Sequence, residues 1–205
     1  MLHFWEDRYS GDTYAYGTTP NSFFKEQLDQ ELIPGKILLP AEGEGRNGVY
    51  AAAEGWTVEA YDWSPAAYQK AMKLAEKNNT HFDKYHVSSL EDLNWPANYF
   101  DVVACIFVQY PETSRRANHE KLTRSLRSGG SFILEAFSQH HPAAQAKNPR
   151  VGGPKNQAQL YSLESLLEDF TGFDWEIAEE THTDLAEGLY HHGEGAVVRL
   201  KGKKR

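Results

Sequence analysis

The sequence has a single cysteine, Cys105, so no internal disulfide is possible and a reducing compartment is expected. It has no apolar run approaching the roughly 20 residues of a membrane helix. The N-terminal stretch MLHFWEDRYS lacks the basic and apolar regions of a signal peptide, so a cytoplasmic protein without membrane contact is the expectation. Positive charge is scarce. The formal net charge of -8 argues against nucleic acid as the main partner, since phosphate binding needs a basic face. The short tail KGKKR reads as a solvated terminus. No histidine pair has H-E-x-x-H spacing and there is no cysteine cluster, so no metal is expected. Internal repeats and low-complexity segments are absent as well.

What is present suits one soluble domain over residues 1–205, with 40% hydrophobic and 24% charged residues. Thr19-Pro20 starts a helix whose apolar residues Phe24, Leu28 and Leu32 recur every four positions, and Pro34-Gly35 stops it. KILL (36–39) is a short buried strand, NGVYAAAE a helix closed by Gly55, and TVEAYD a second strand. Ser64-Pro65 caps a helix to about Asn78, and FDKYHV is a third strand. FDVVACIFV (100–108) is a nearly unbroken apolar run, the mark of a central strand covered on both faces. A polar helix follows to near Gly129-Gly130, then a fifth strand, SFILEAF. Strands alternating with helices imply a parallel sheet in an α/β domain. Residues 138–160, polar and proline-containing, read as a long loop on the substrate side. Ser162 caps LESLLEDF, and two closing strands, separated by TDLAEGLYHHGE, form an antiparallel edge hairpin.

The stretch LLPAEGEGRNGVY (38–50) contains G-x-G-x-x-G at Gly43, Gly45 and Gly48. Placed between a strand and a helix, such a turn aims backbone N–H groups and the positive helix end at a ligand. Asp62, ending the second strand, is placed to accept hydrogen bonds from ribose hydroxyls, and Trp63 offers a face to adenine. An adenosine site is therefore expected, for a nicotinamide dinucleotide or for S-adenosylmethionine. Glu42 and Glu44 in the turn would repel a pyrophosphate and suit a sulfonium ligand. The chain is also too short to add a substrate domain to a full dinucleotide-binding sheet.

The segments FWEDRY and YGTTPNSFF (within 4–24), AEGEGRN (41–47), VEAYDWSP (58–65), FDVVACIFVQYP (100–111), LRSGGSFILEAF (126–137) and VGGPKN (151–156) carry a more specific likeness. In their order they resemble the class I S-adenosylmethionine-dependent methyltransferases, in particular the branch related to tellurite-resistance and thiopurine methyltransferases. The resemblance implies a Rossmann-like three-layer α/β sandwich, its mostly parallel seven-stranded sheet ending in an antiparallel C-terminal strand. It also implies that Glu42, Gly43, Gly45 and Asn47 line the methionine portion of the cofactor, with Asp62 on the ribose and Trp63 on the adenine. Ser88, Ser89 and Leu90 match the segment at the adenine edge, and Ile106, Phe107 and Val108 the strand end beneath the methyl group. The segment 1–34 matches one that folds over the pocket, with Tyr16 as a lid residue. Two departures stand out. Leu39 occupies the place of the acid many relatives carry on the first strand, and Gln109 stands where many have histidine, leaving it only a role in positioning substrate.

Methyl transfer is an in-line displacement, so the enzyme mainly aligns nucleophile, methyl and sulfonium. Thiolates and metalloid anions need little base help, whereas protonated oxygen or nitrogen acceptors need a base. His191, His192, His140 and His141 are the candidates, with surface positions the expectation for His191 and His192; Arg150 and Lys155 are candidates for holding an anionic substrate. The expected function is methyl transfer to a small-molecule acceptor. A nicotinamide-dependent oxidoreductase and a non-catalytic S-adenosylmethionine-binding protein are the alternatives.

Overall fold

Successive side chains of a strand point to opposite faces, and the central strands here are apolar on both. β1 (Lys36–Leu39) sends Ile37 and Leu39 into one core and Leu38 into the other. β4 (Phe100–Ile106) divides the same way, Val102, Ala104 and Ile106 against Val103 and Cys105. Helices must therefore cover both sides. The computed structural model describes residues 2–205. In chain order it contains α1 (Leu2–Tyr9), α2 (Ser22–Leu28), β1, α3 (Arg46–Ala53), β2 (Thr57–Asp62), α4 (Pro65–Lys77), β3 (Lys84–Val87) and β4. Then follow α5 (Glu112–Ser125), β5 (Leu126–Phe137), α6 (His141–Lys147), α7 (Leu163–Asp169), β6 (Phe173–Glu187) and β7 (His191–Lys204).

The seven strands lie in the order β3-β2-β1-β4-β5-β7-β6. β1 to β5 pair in parallel, and β7 runs antiparallel to both β5 and β6. This is the expected Rossmann-like sheet with a C-terminal hairpin at one edge. The chain moves outward from β1 through β2 to β3, then returns to lay β4 on the other side of β1. That reversal opens a crevice at the carboxyl ends of β1 and β4, where ligands of such sheets bind.

Several local expectations are corrected. α2 starts at Ser22, not Pro20, because the Asn21 side chain is the cap, accepting the Phe24 N–H at 2.8 Å. The helix ends after two turns, so Leu32 lies outside it and is 93% exposed. α5 stops at Ser125, and the residues before Gly130 already belong to β5, across a register shift against β4. The polar segment 138–160 is structured by α6 and by single 3₁₀ turns at Pro149–Val151 and Gln157–Gln159. Val151 and Leu160 anchor it in a small core with Phe137, Leu185 and Val197. TDLAEGLYHHGE is mostly strand: only residues 188–190 separate β6 from β7, and the stretch is polar because β6 is an edge strand. The tail is no solvated arm either. β7 runs through it, Lys201 is buried against Glu31, and Lys204 Nζ donates to the carbonyls of Thr123 and Leu126.

Candidate functional site

The turn after β1 brings a buried carboxylate to the start of α3. Glu42 Oε1 accepts the Gly48 N–H at 2.7 Å, satisfying one of the free donors of the first helical turn. Gly45 is the helix N-cap with φ 91°, and Gly43 has φ 63°, both left-handed conformations that favour glycine. Leu39, where many relatives carry an acid, is fully buried and apolar. Asp62 ends β2 with Oδ2 accepting from Gly43 N at 3.0 Å and Oδ1 from Ser64 N at 2.9 Å. Tyr85 donates to the Gly43 carbonyl at 2.6 Å.

Neither Glu42 nor Asp62 has a cationic side-chain partner among the described residues. Burial raises the Glu42 carboxyl to about 7, although the Gly48 N–H and Arg46 oppose the shift. Burial likewise raises Asp62 to about 6, against donation from Ser64, Gly43 and Trp63. Two buried acids without countercharge, beside a turn that a ligand can approach closely, suit a cationic ligand with hydroxyls to bind. The donor set thus fits a sulfonium-bearing nucleoside.

The other charges of the turn are already committed. Glu44 Oε2 accepts the Ala15 N–H at 2.7 Å, and Lys70 Nζ lies 2.5 Å from Oε1, an ion pair without an aligned hydrogen bond. Arg46 pairs with Glu187 at 2.9 Å. Asn47 Oδ1 accepts the Asn21 N–H at 2.9 Å, tying the N-terminal segment to α3. α1 docks on α4 through Glu6, which accepts from Ser64 Oγ and Ala66 N. Tyr9 is buried across the turn, its hydroxyl 3.0 Å from where a Cβ on Gly43 would sit.

Beside the turn lies an aromatic cluster around His191. This residue is buried, not superficial as expected from its polar surroundings. Glu187 and His191 are cross-strand partners closing the β6–β7 hairpin, so their side chains meet. His191 Nδ1 stands 2.9 Å from Glu187 Oε2, and the imidazole packs at 4.5 Å from the rings of Tyr16 and Phe107. Burial lowers the His191 pKa, against the pull of Glu187. Glu187 Oε1 also accepts Asn21 Nδ2 at 2.7 Å, and the same amide group donates to Glu135, which Arg199 holds from β7. Phe107, next after β4, has φ 54°. Arg8 donates to the Tyr16 hydroxyl and lies over the Tyr190 ring at 3.6 Å.

The other predicted residues divide. Trp63 is 37% exposed beside Asp62, and Ser88 N donates to the Asp62 carbonyl, so this end of the site is assembled. Ser89 Oγ bonds Asp92, while Leu90 and Val108 turn into the core below the sheet and Ile106 into the one above. The Gln109 side chain is engaged by main chain. Its Nε2 donates to the carbonyls of Phe137 and Gln159, and its Oε1 accepts the Phe137 N–H. His141 is spent on Gly152 and Ala196. His192, His140, Arg150 and Lys155 are exposed. Sequence reasoning missed Glu187, Asn21 and Tyr9. The Glu187 signal was its place four residues before His191, which is informative only once a hairpin turn is set at 188–190. Among the described residues no group of three His, Cys, Asp or Glu could hold a metal ion, and no helix is long and apolar enough to cross a membrane.

Residues 37–130 match the family described as methyltransferase domain. No curated protein matches the sequence. Among solved structures, one reported for conversion of a disulfide bond into a thioacetal group during echinomycin biosynthesis has TM-score 0.80 at 18% identity, covering 100% of this chain and 92% of that one. TehB from Haemophilus influenzae has TM-score 0.73 at 15% identity, covering 92% of this chain and 64% of that one. The magnesium protoporphyrin IX methyltransferase ChlM from Synechocystis PCC 6803, with bound SAH, has TM-score 0.66 at 17% identity, covering 90% and 80%. At these identities the likeness is one of fold.

Proposed function

From a methyltransferase domain over residues 37–130, whose cofactor is S-adenosylmethionine, we propose that the protein transfers a methyl group to a small-molecule acceptor. The observation that carries the reading is the pair of buried carboxylates without countercharge, Glu42 and Asp62, flanking the glycine turn at the sheet crevice. When bound, S-adenosylmethionine supplies an electrophilic methyl carbon on a positively charged sulfur. In this proposal Glu42, Gly43, Gly45 and Asn47 hold its methionine portion and Asp62 its ribose. Trp63, Ser88, Ser89 and Leu90 border the adenine. Ile106, Phe107 and Val108 form the floor below the reacting carbon, and α1 with Tyr16 forms the lid.

These residues hold the donor still, exclude water and favour positive charge, which is most of what an in-line displacement requires of a protein. Membership of the tellurite-resistance and thiopurine branch is a finer part of the proposal, supported by the segments quoted above and by the fold shared with TehB. The oxidoreductase alternative is disfavoured because the antiparallel β6–β7 hairpin occupies the edge where a dinucleotide fold carries its sixth, parallel strand.

Calorimetric titration with S-adenosylmethionine, S-adenosylhomocysteine and NAD, on wild type and Asp62→Ala, tests the reading. Micromolar binding of the two methionine-derived ligands, lost in the variant, is expected. Binding of NAD alone would sink it.

A further inference from the structure

Resting on the methyl-transfer reading, we propose that His191 is the general base for an acceptor that arrives protonated, and that Glu187 is the positioning residue that fixes the base in its working tautomer. A carboxylate only accepts hydrogen bonds, so the His191 nitrogen 2.9 Å from Glu187 carries its proton there, on Nδ1. Nε2 then holds the lone pair, and it has no hydrogen-bond partner among the described residues. Glu187 is itself clamped by Arg46 and by Asn21, so the pair is anchored to the first turn of α3 and to the N-terminal segment at once. A histidine serving only as packing needs no such clamp: His141, which packs on the same Phe137 ring, has both nitrogens bonded to main chain.

The charges facing His191 are Glu187 on β6, Arg46 on α3 and Arg8 on α1, with the Tyr16 hydroxyl and His141 on α6 as further titratable neighbours. Burial keeps the ring neutral near pH 7, which leaves Nε2 free to accept a proton. In the step, the acceptor O–H, S–H or N–H proton passes to Nε2 while the acceptor lone pair forms the bond to the methyl carbon. The carbon–sulfur bond breaks with its electron pair going to sulfur. The imidazolium so formed is stabilised by Glu187 and loses its proton to solvent.

The surroundings select the same class of acceptor. Aromatic rings of Tyr16, Phe107, Phe137 and the partly exposed Tyr190 line the neighbourhood, and its carboxylate Glu187 is already ion-paired with Arg46. A ring compound bearing a hydroxyl or thiol, which stacks on aromatic side chains and brings a proton to remove, fits this environment.

The test combines histidine-labelled NMR of the cofactor-free protein with methyl-transfer assays on phenol, thiophenol and tellurite. Wild-type His191 should show its proton on Nδ1 at neutral pH, and Glu187→Gln should shift it largely to Nε2. That variant should lose about tenfold to a hundredfold in kcat with phenol and displace the acidic limb of the pH profile, with the KM for S-adenosylmethionine nearly unchanged. His191→Gln serves if Glu187→Gln does not fold, with a loss of about a hundredfold or more expected with phenol. A wild-type proton on Nε2, a tautomer indifferent to Glu187, or tellurite as the only acceptor methylated would overturn the proposal. Absence of S-adenosylmethionine binding would overturn the methyl-transfer reading, and the proposal with it. Binding together with any of the former results would overturn the proposal alone.

Discussion

Glu42→Gln is the substitution that most directly probes the ligand argument. The glutamine Oε1 can still accept the Gly48 N–H, so the helix cap survives while the titratable charge is removed. A carboxyl whose pKa is raised by folding binds its proton more tightly in the folded chain. Its contribution is therefore most favourable at low pH and is lost as pH rises through the folded value. For Glu42 the window runs from 4.5 to about 7. Wild type should lose about 1.4 kcal/mol per pH unit across it, about 3 kcal/mol in all, which Glu42→Gln should not lose. Asp62 contributes a similar slope between 3.8 and about 6, and the buried histidines 119, 141 and 191, lowered by burial, act oppositely below 6.5. Urea unfolding of both proteins from about pH 5 to about pH 7.5, without ligand, cancels those shared terms in the difference. At the upper end the variant should be the more stable by about 2–3 kcal/mol, yet bind S-adenosylmethionine about tenfold more weakly. A stability difference that stays flat across this range would refute the idea that an uncompensated buried carboxylate marks a cation site.

Other consequences are open to simpler assays. A Cβ on Gly48 would sit 2.2 Å from Phe82 Cε1, so Gly48→Ala should cost about 1–3 kcal/mol in a urea melt, and an unchanged midpoint would contradict the packing. Cys105 is buried and its thiol is pushed up by burial, so it should resist thiol reagents in the native protein and react only on unfolding. Glu31, although half-buried, is held near 2 by Lys201, Ser131 and Lys203, so its contribution is present above 4.5 and is lost as pH falls towards 2. Glu31→Ala strands the buried Lys201 and should cost about 3–5 kcal/mol at neutral pH by chemical denaturation.

Much of the sheet was legible because its signals are local. The KILL and TVEAYD strands match β1 and β2 to the residue, and Ser64-Pro65 caps α4 as its chemistry requires. Errors fell where a tertiary partner decides. A polar stretch such as 183–194 reads as a loop until the edge position of β6 explains why its outer face is polar. The basic tail reads as solvated until Glu31, brought from beyond α2, supplies the partner that lets Lys201 be buried in a strand. Segment 138–160 lacks a helical period because its helices and turns last one or two turns and are held by Val151 and Leu160, too sparse a pattern to recognise.

The glycine turn shows the same limit within the site. Its sequence offers Glu42 and Glu44 as acids facing a ligand, with Arg46 beside them, but the fold assigns the three different work. Glu44 holds the N-terminal segment across 29 residues of chain, and Arg46 holds Glu187 across 141. Neither partner lies within reach of a spacing argument. Glu42 alone of the three has no ion-pair partner among the described residues, burial outweighs the opposing pull of Gly48 and Arg46, and Asp62 joins it from the next strand. A cation arriving there gains two carboxylates at little cost in rearrangement, while the anion-binding capacity of the α3 N-terminus is already reduced by Glu42 itself. The donor side of the crevice therefore selects positive charge. On the acceptor side Glu187 is matched by Arg46, the rings around His191 are uncharged and Arg8 lies over the Tyr190 ring, so no unpaired carboxylate faces the acceptor. That asymmetry suits methyl transfer, in which the positive charge starts on the donor and leaves as a proton from the acceptor.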